Sequence, residues 1–311
     1  MNSGIAGALS YQAGAIWAYR FTVSIWKSLL VEFPQILSIE TNTPVESISI
    51  EESGSEGFHY AVQTTRGTIF VRHVVHATNA YVSHLVPGLR SKIVGARGHM
   101  SAHQPGKQFP CSDGMRSWSV IYGGAFDYVT QRPTAPGNSQ GDLMIGGGFM
   151  RSLKQGVDQL GLYDDGAAVD ALTITHVAGI FPAIFSPKWG MGAGLKQVWS
   201  GIIALTGDFL PFVGLLDTRL TGRNVRNRKS ISNDTNCHGE WIAAGFNGEG
   251  MVWAWLCGVG LGIMIAGSEE EDVGEITGRP GGKLAEWFPM ELQVSSGRLQ
   301  TADVYNLASQ M

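Results

Sequence analysis

Charge is scarce in this chain: 15% of its 311 residues are Asp, Glu, Lys or Arg, against 44% that are hydrophobic. That balance excludes a disordered protein and describes a globular one with much buried surface, as one large or two interleaved domains. Basic residues are few, 22 Lys and Arg against 26 Asp and Glu, for a formal net charge of −4. With no basic stripe to release counterions, neither nucleic acid nor an anionic membrane is an expected partner. The one basic cluster, Arg219, Arg223, Arg226, Arg228 and Lys229, sits among Asn, Ser and Thr and reads as a solvated loop insertion. Cysteine is rare. The three present, Cys111, Cys237 and Cys257, form no C-x-x-C spacing and leave an odd one, which supports neither a disulfide framework nor a zinc site. No metal is expected, and a reducing compartment fits, with the cytoplasm as the expected location. Cys257 lies in an apolar segment and reads as a small core hydrophobe. Met251 to Gly267 carries no charge, is at the short edge for a spanning helix and has no flanking Lys or Arg anchor. It reads as a helix buried against a sheet, so no membrane span is expected. No basic stretch precedes the apolar N-terminus, so no secretory signal is expected either.

What the chain has in abundance is glycine, 42 residues, which supplies many tight turns. Phe21, Ile25, Leu29 and Phe33 recur at spacing four and predict an amphipathic helix ended by Pro34. Residues 45–50, 58–64 and 68–76 alternate in strand fashion, with Arg66-Gly67 as a hairpin turn. Residues 98–103, 117–122, 126–132 and 142–148 are further strand candidates between Pro- and Gly-rich loops. Helical spacing over 165–181 predicts a helix closed at Phe181-Pro182. Residues 196–206 read as a strand, followed by a turn region at Leu210–Leu216. Glu269 to Glu275 is acidic, Thr277 to Lys283 is a linker, and 284–292 predicts one short helix. The last twenty residues read as a mobile tail.

The most informative segment is Trp241-Ile242-Ala243-Ala244, a strand-like run entering Gly245-Phe246-Asn247-Gly248-Glu249-Gly250-Met251 and then the apolar stretch from Val252. A strand, a glycine turn and a helix in that order aim a helix N-terminus at electron-rich ligand atoms. A buried helix capped by an ordinary glycine loop has the same pattern. The segment resembles the C-terminal flavin-binding turn of the D-amino-acid oxidase and sarcosine oxidase family. Gly7 to Phe21, Thr41 to Ile48, Val74 to Tyr81, Arg97 to Met100, Trp199 to Ile202 and Leu210 to Gly214 also fall in family order. The resemblance covers about residues 7 to 267 and is closest to fungal members.

It implies an FAD-dependent oxidoreductase acting on a small amine or amino acid, in fungal secondary metabolism. The fold implied is α+β, derived from α/β: a partial FAD-binding nucleotide domain with a mixed-sheet substrate domain. Residues 1–90 would be the remnant of the FAD-binding domain with its β-meander, and 91–232 the substrate domain. Residues 233–267 would be the closing strand–turn–helix, and 268–311 an acidic linker and tail. The family's opening G-x-G-x-x-G turn has no counterpart. Gly190 to Gly194 and Gly258 to Gly262 have the wrong spacing and flanks. The expectation is that FAD binds weakly or not at all to this chain alone. The sheet edge exposed by the missing unit should pair with a second copy or another chain. The alternative reading is a truncated homologue without redox activity, acting as a non-redox catalyst or an interaction partner.

On the cofactor side the resemblance points to Val45, Thr78, Asn79, Ala80 and the turn Gly245, Phe246, Asn247, Gly248, Glu249, Gly250 and Met251. Met251 would touch the ring or serve as plain core. On the substrate side, alternation puts Tyr128, Thr130 and Arg132 on one strand face, where Arg132 could clamp a carboxylate under Tyr128. An outward-facing strand with Arg132 in solvent fits the same pattern. Lys196 lies on the strand where family members place active-site groups, a candidate oxygen-activating cation. Three departures stand out: Ala18 where relatives have proline, Gly207-Asp208-Phe209 where they have Pro-Asp-Gly, and Glu249 where histidine is common.

Overall fold

The computed structural model describes residues 4–51, 59–137, 140–166, 169–223 and 238–309. Along the chain run α1 (Ala18–Glu32), β1 (Val45–Ile50), β2 (Tyr60–Thr64), β3 (Gly67–Val71), β4 (His73–His76), α2 (Val82–Leu85) and β5 (Ile93–Gln104). Then come β6 (Ser117–Tyr122), β7 (Ala125–Gln131), β8 (Leu143–Gly146), α3 (Ala171–Phe185), β9 (Gly194–Thr206), β10 (Phe212–Leu215) and α4 (Thr218–Thr221). The last are β11 (Gly239–Ala244), α5 (Gly250–Ala266), α6 (Leu284–Trp287) and α7 (Ser296–Thr301). The mixture of helices with antiparallel and mixed sheets is the α+β class expected from the sequence. The chain forms two compact units: Met1–Ile16 with Ala96–Ile202, and Trp17–Gly95 with Ile203–Met311.

The first unit is built on a five-stranded sheet of order β6-β7-β8-β5-β9. Helix α3 covers one face, burying Thr173, Val177 and Phe181 at spacing four. Val177 and Phe181 meet Phe109, Val129, Leu143 and Ile145 in one core. Asp170 caps the helix by accepting the Thr173 N–H at 2.7 Å. Pro182 lies inside α3, not at its end, and the helix runs on to Phe185. The Phe185 ring packs 4.9 Å from that of Phe109 and 5.6 Å from that of Trp118, so tertiary packing holds the last turn despite the lost N–H.

The second unit holds the sheets β1-β2-β3 and β10-β11-β4. The run 68–76 is two strands: β3 pairs antiparallel with β2, whereas β4 pairs parallel with β11. The break at Arg72 lets the chain change sheets, and the Trp241 indole donates to His73 Nδ1 at 3.2 Å across the new pairing. The turn region 210–216 contains β10, paired antiparallel to β11 over Phe212–Leu215. Every residue of β11 is buried, as a central strand covered on both faces requires. Helix α5 lays Cys257, Leu261 and Met264 on this sheet beside Val213, Trp241 and Phe288. Its opposite face is open: Met251, Val252, Trp255 and Leu256 are exposed, so α5 is buried on one side and not all round. Helix α1 has no buried residue and lies over that open face, with the Phe21 and Trp255 rings 6.0 Å apart.

Two further expectations meet a different outcome in this unit, the first in length only. The predicted helix over 284–292 is α6 followed by a short 3₁₀ turn at Met290–Leu292. The C-terminal segment is docked: α7 is capped by Ser295, and Arg298 is buried. Of the basic cluster, Arg226, Arg228 and Lys229 lie outside the described residues, and so does Cys237. Arg223 is no solvated loop residue, since it pairs with buried Glu240.

Candidate functional site

Strands β4 and β11 run parallel, with His76 at the end of β4 registered against Ile242 and β11 running on to Ala244. Open α/β sheets bind ligands in the crevice beyond such carboxyl ends. Two turns leave here, Thr78-Asn79-Ala80 after β4 and Gly245 to Glu249 after β11, and one side chain joins them. Asn79 Oδ1 accepts the Gly245 N–H at 3.0 Å and the Phe246 N–H at 3.3 Å. Asn79 itself sits at φ 47°, which an asparagine tolerates better than most residues. Ala80 is fully buried beneath the turn.

The β11 turn is fixed from the other side by Asn247, at φ 51°. Its backbone N–H donates to Ala204 O at 2.9 Å. Its carboxamide accepts the Thr206 N–H at 2.8 Å, and its Nδ2 donates to Gly245 O at 2.7 Å and Thr206 Oγ1 at 3.0 Å. Gly245 and Gly248 have φ +85° and +82°, where a side chain would be strained. Gly248 is exposed. Helix α5 starts next, and Glu249 at its N-cap makes no capping hydrogen bond with its side chain. Gly250 and Met251 open the first turn, and the N–H groups of Val252 and Trp253 behind them donate to Glu249 O at 2.9 and 3.2 Å. The Glu249 carboxylate is exposed and accepts from the Trp253 indole at 3.4 Å.

The segments singled out at Thr78–Ala80 and Gly245–Met251 are thus tied to each other through Asn79. Val45 is not joined to it: it opens β1 in the separate antiparallel sheet. Asn79 and Asn247 spend their side chains on holding the turns. Sequence reading missed Thr206, whose link to Asn247 spans 41 positions with no local motif to mark it.

The substrate-side candidates lie in the first unit. Tyr128 projects from the sheet face opposite α3, partly exposed, and its hydroxyl donates to Met100 Sδ at 3.2 Å. Burial of the phenol pushes its pKa up. Arg132 follows the end of β7, its N–H bonded to Asp142 O at 2.8 Å. Lys196 pairs with Asp142 at 2.5 Å. On the α3 side of the sheet, His99 Nε2 accepts the Asp170 N–H at 2.9 Å, and burial, then the charge of Arg97, lowers its pKa. Tyr122, Asp127 and His176 form a separate trio, with His176 Nε2 at 2.7 Å from Asp127 Oδ2. Cys257 is buried in α5, which pushes its thiol up to about 11 and makes it a core residue. Among the described residues no three His, Cys, Asp or Glu side chains are grouped to hold a metal, and no helix is long and apolar enough to cross a membrane.

The residues at the β4 and β11 ends are compatible with the ring end of a flavin: glycines at positive φ, one of them exposed, and the N-terminus of α5. The chain belongs to the FAD dependent oxidoreductase family, whose model matches residues 3–261. Among solved structures it is similar to glycine oxidase from Geobacillus kaustophilus, at 19% identity and a TM-score of 0.48, over 74% of this chain and 49% of that one. It is also similar to L-proline dehydrogenase from P. horikoshii, at 22% identity and a TM-score of 0.42, over 73% and 48%. A third is glycine oxidase from Bacillus cereus, at 14% identity and a TM-score of 0.47, over 75% and 52%. This chain therefore spans about half the length of these structures. No curated protein matches it.

Proposed function

We propose that this chain supplies the ring-end contacts of an FAD site in an oxidoreductase acting on a small amine or amino acid. The observation that carries the reading is the pair of turns tied by Asn79 at the carboxyl ends of two parallel strands, leading into α5. When bound, FAD supplies the hydride chemistry at a carbon bearing nitrogen, and the protein contributes orientation and electrostatics. The first-turn N–H groups of α5 favour negative charge at the pyrimidine end, and the Glu249 carboxylate opposes it. Tyr128, Arg132 and Lys196 are the substrate-side candidates, with Arg132 suited to a carboxylate and the Lys196 charge held by Asp142. Fungal secondary metabolism is the proposed setting and the cytoplasm the proposed location.

Binding of FAD to this chain alone rests on these turns, without a G-x-G-x-x-G cradle. Charge-assisted hydrogen bonds contribute roughly 1.5–3 kcal/mol each, so lacking three or four of them lowers affinity by several orders of magnitude. Flavin fluorescence titration is expected to show saturable binding with a Kd above about 10 µM. No saturable binding would sink the cofactor reading and favour the non-redox alternative, whereas nanomolar binding would sink the claim of weakness.

The edge of β4 supports a partner. It ends the β10-β11-β4 sheet, and Val75 on it is 48% exposed. An apolar edge strand is a template for another chain. Light scattering across a concentration series is expected to show self-association. Val75→Lys should suppress it, and a monomer at every concentration would contradict the proposal.

A further inference from the structure

The densest polar anchor in the second unit lies outside the crevice, in the C-terminal segment. Arg298 is buried and uses all five of its guanidinium N–H groups. Nε donates to Asp208 Oδ2 at 2.7 Å and Nη2 to Asp208 Oδ1 at 3.2 Å. Nη1 donates to Pro211 O and Leu292 O, both at 2.8 Å, and Nη2 also donates to Leu210 O at 2.5 Å. The guanidinium carbon lies 3.9 Å from the centroid of the Phe212 ring. Burial alone would raise the Asp208 carboxyl, but the hydrogen bonds and charge of Arg298 hold it below the usual carboxylate range.

These bonds do not end at the loop. Leu210 O, which accepts from Arg298, also accepts the Thr206 hydroxyl at 3.1 Å. Thr206 is in turn bonded through its N–H and its hydroxyl to the Asn247 carboxamide. Asn247 bonds to Gly245 O, inside the turn that opens α5. The loop between is under strain: Phe209 sits at φ 57°, a conformation that a bulky residue keeps only when its surroundings fix it. The tail backbone presses on the same loop. Gly207 N–H donates to Ala302 O, and a Cβ on Gly207 would lie 2.0 Å from Asp303 O. A second tie, Lys92 to Asp303 at 2.8 Å, holds the tail behind α7.

We infer that the C-terminal segment around α7 is a brace for the cofactor turn, with Arg298 as a positioning residue acting through Asp208, Leu210, Thr206 and Asn247. Its bearing on FAD rests on the function proposed above, whereas its effect on the turn does not. The segment lies past residue 261, where the family match ends. The brace sets the backbone of Gly245–Met251 and touches no ligand.

The test is hydrogen–deuterium exchange on the full chain, comparing amides of Gly245–Met251 with those of β11 at Gly239–Ala244. Arg298→Lys keeps the charge but loses the fork of donors. It is expected to speed exchange in the turn by about tenfold or more while leaving β11 unchanged. Asp208→Asn is the gentler variant, expected to shift the turn in the same direction if Arg298→Lys does not fold. Equal acceleration in both segments would show a merely structural role and overturn the inference, as would no change in either. FAD titration of the same variants adds a second reading: Kd should rise about tenfold with the exchange. Faster turn exchange in a protein that binds no FAD would sink the proposed function and leave the brace standing. Unchanged FAD affinity beside a loosened turn would overturn the positioning of the cofactor by Arg298.

Discussion

Glu240→Gln is expected to lower the unfolding free energy by about 3–5 kcal/mol, the usual cost of breaking a buried ion pair from one side. A domain is stabilised by only about 5–15 kcal/mol in all, so the variant should sit near the edge of folding. Glu240 is 3% exposed and is the second residue of β11, registered against Val74 of β4. It accepts Arg223 Nε and Nη2, both at 2.7 Å, and lies 3.0 Å from His76 Nε2. Arg223 also donates to Leu85 O at 2.9 Å, which ties α2 into the same network. The isosteric amide keeps the shape but leaves the guanidinium without a counter-charge in a region away from water. The double variant Glu240→Gln with Arg223→Met should recover a good part of the loss, because it removes the unpaired charge as well. Urea denaturation of the three proteins checks both statements. A single-variant loss below about 1 kcal/mol would place the pair with the weak surface bridges.

The same group gives a pH dependence with a definite sign. Burial works to raise the Glu240 carboxyl, but hydrogen bonds from Arg223 and His76, and their charges, outweigh it and hold the pKa below the ordinary glutamate value. A depressed carboxylate stabilises the fold above the ordinary glutamate range, and that contribution is lost as pH falls through the folded value. Stability of the wild-type chain should thus decline on the acid side of that range, and the Glu240→Gln chain should show a flatter profile there.

How far the sequence reveals this molecule depends on the range of the interactions. Strands with strict alternation and clear turns are legible to the residue: 45–50 and 117–122 are β1 and β6 as expected. The strand–turn–helix at 241–266 is legible because strand, glycines and apolar helix are contiguous. Where long-range partners decide, the pattern fails. Nothing local shows that the chain changes sheets at Arg72, since the parallel partner of β4 is β11, far along the chain. Pro182 reads as a stop until the aromatic ring of Phe185 is seen anchored on Phe109. Arg223 reads as a surface charge in polar company, yet its acceptor Glu240 is buried, and the tail that holds Arg298 reads as mobile, yet its acceptor Asp208 lies 90 positions earlier in the chain. The candidate site divides the same way: its glycines announce themselves, whereas the Asn79 and Thr206 contacts that hold them appear only in three dimensions.

Gly245 and Gly248 allow fold and ligand to be separated within that turn. Both have positive φ, and a β-branched side chain in that conformation costs about 1–3 kcal/mol from the backbone alone. At Gly245 there is a second cost. A Cβ there would lie 2.6 Å from Thr206 Cγ2 and 3.5 Å from Ile93 Cδ1, in a packed region, and forced overpacking adds about 1–3 kcal/mol. At Gly248 the nearest heavy atom is Ile203 Cγ2 at 3.7 Å, an ordinary contact. Gly245→Val should therefore destabilise the chain by about 2–6 kcal/mol, on the sum of the two terms, and Gly248→Val by the smaller backbone cost. Binding should rank differently. The exposed surface at Gly248 is where a flat ring approaches closely in the proposed function, so Gly248→Val should weaken FAD binding at least about tenfold while the fold persists. Chemical denaturation and flavin titration of the two variants, measured side by side, separate these effects. A Gly248→Val chain that binds FAD as the wild type does would move the ring away from this turn.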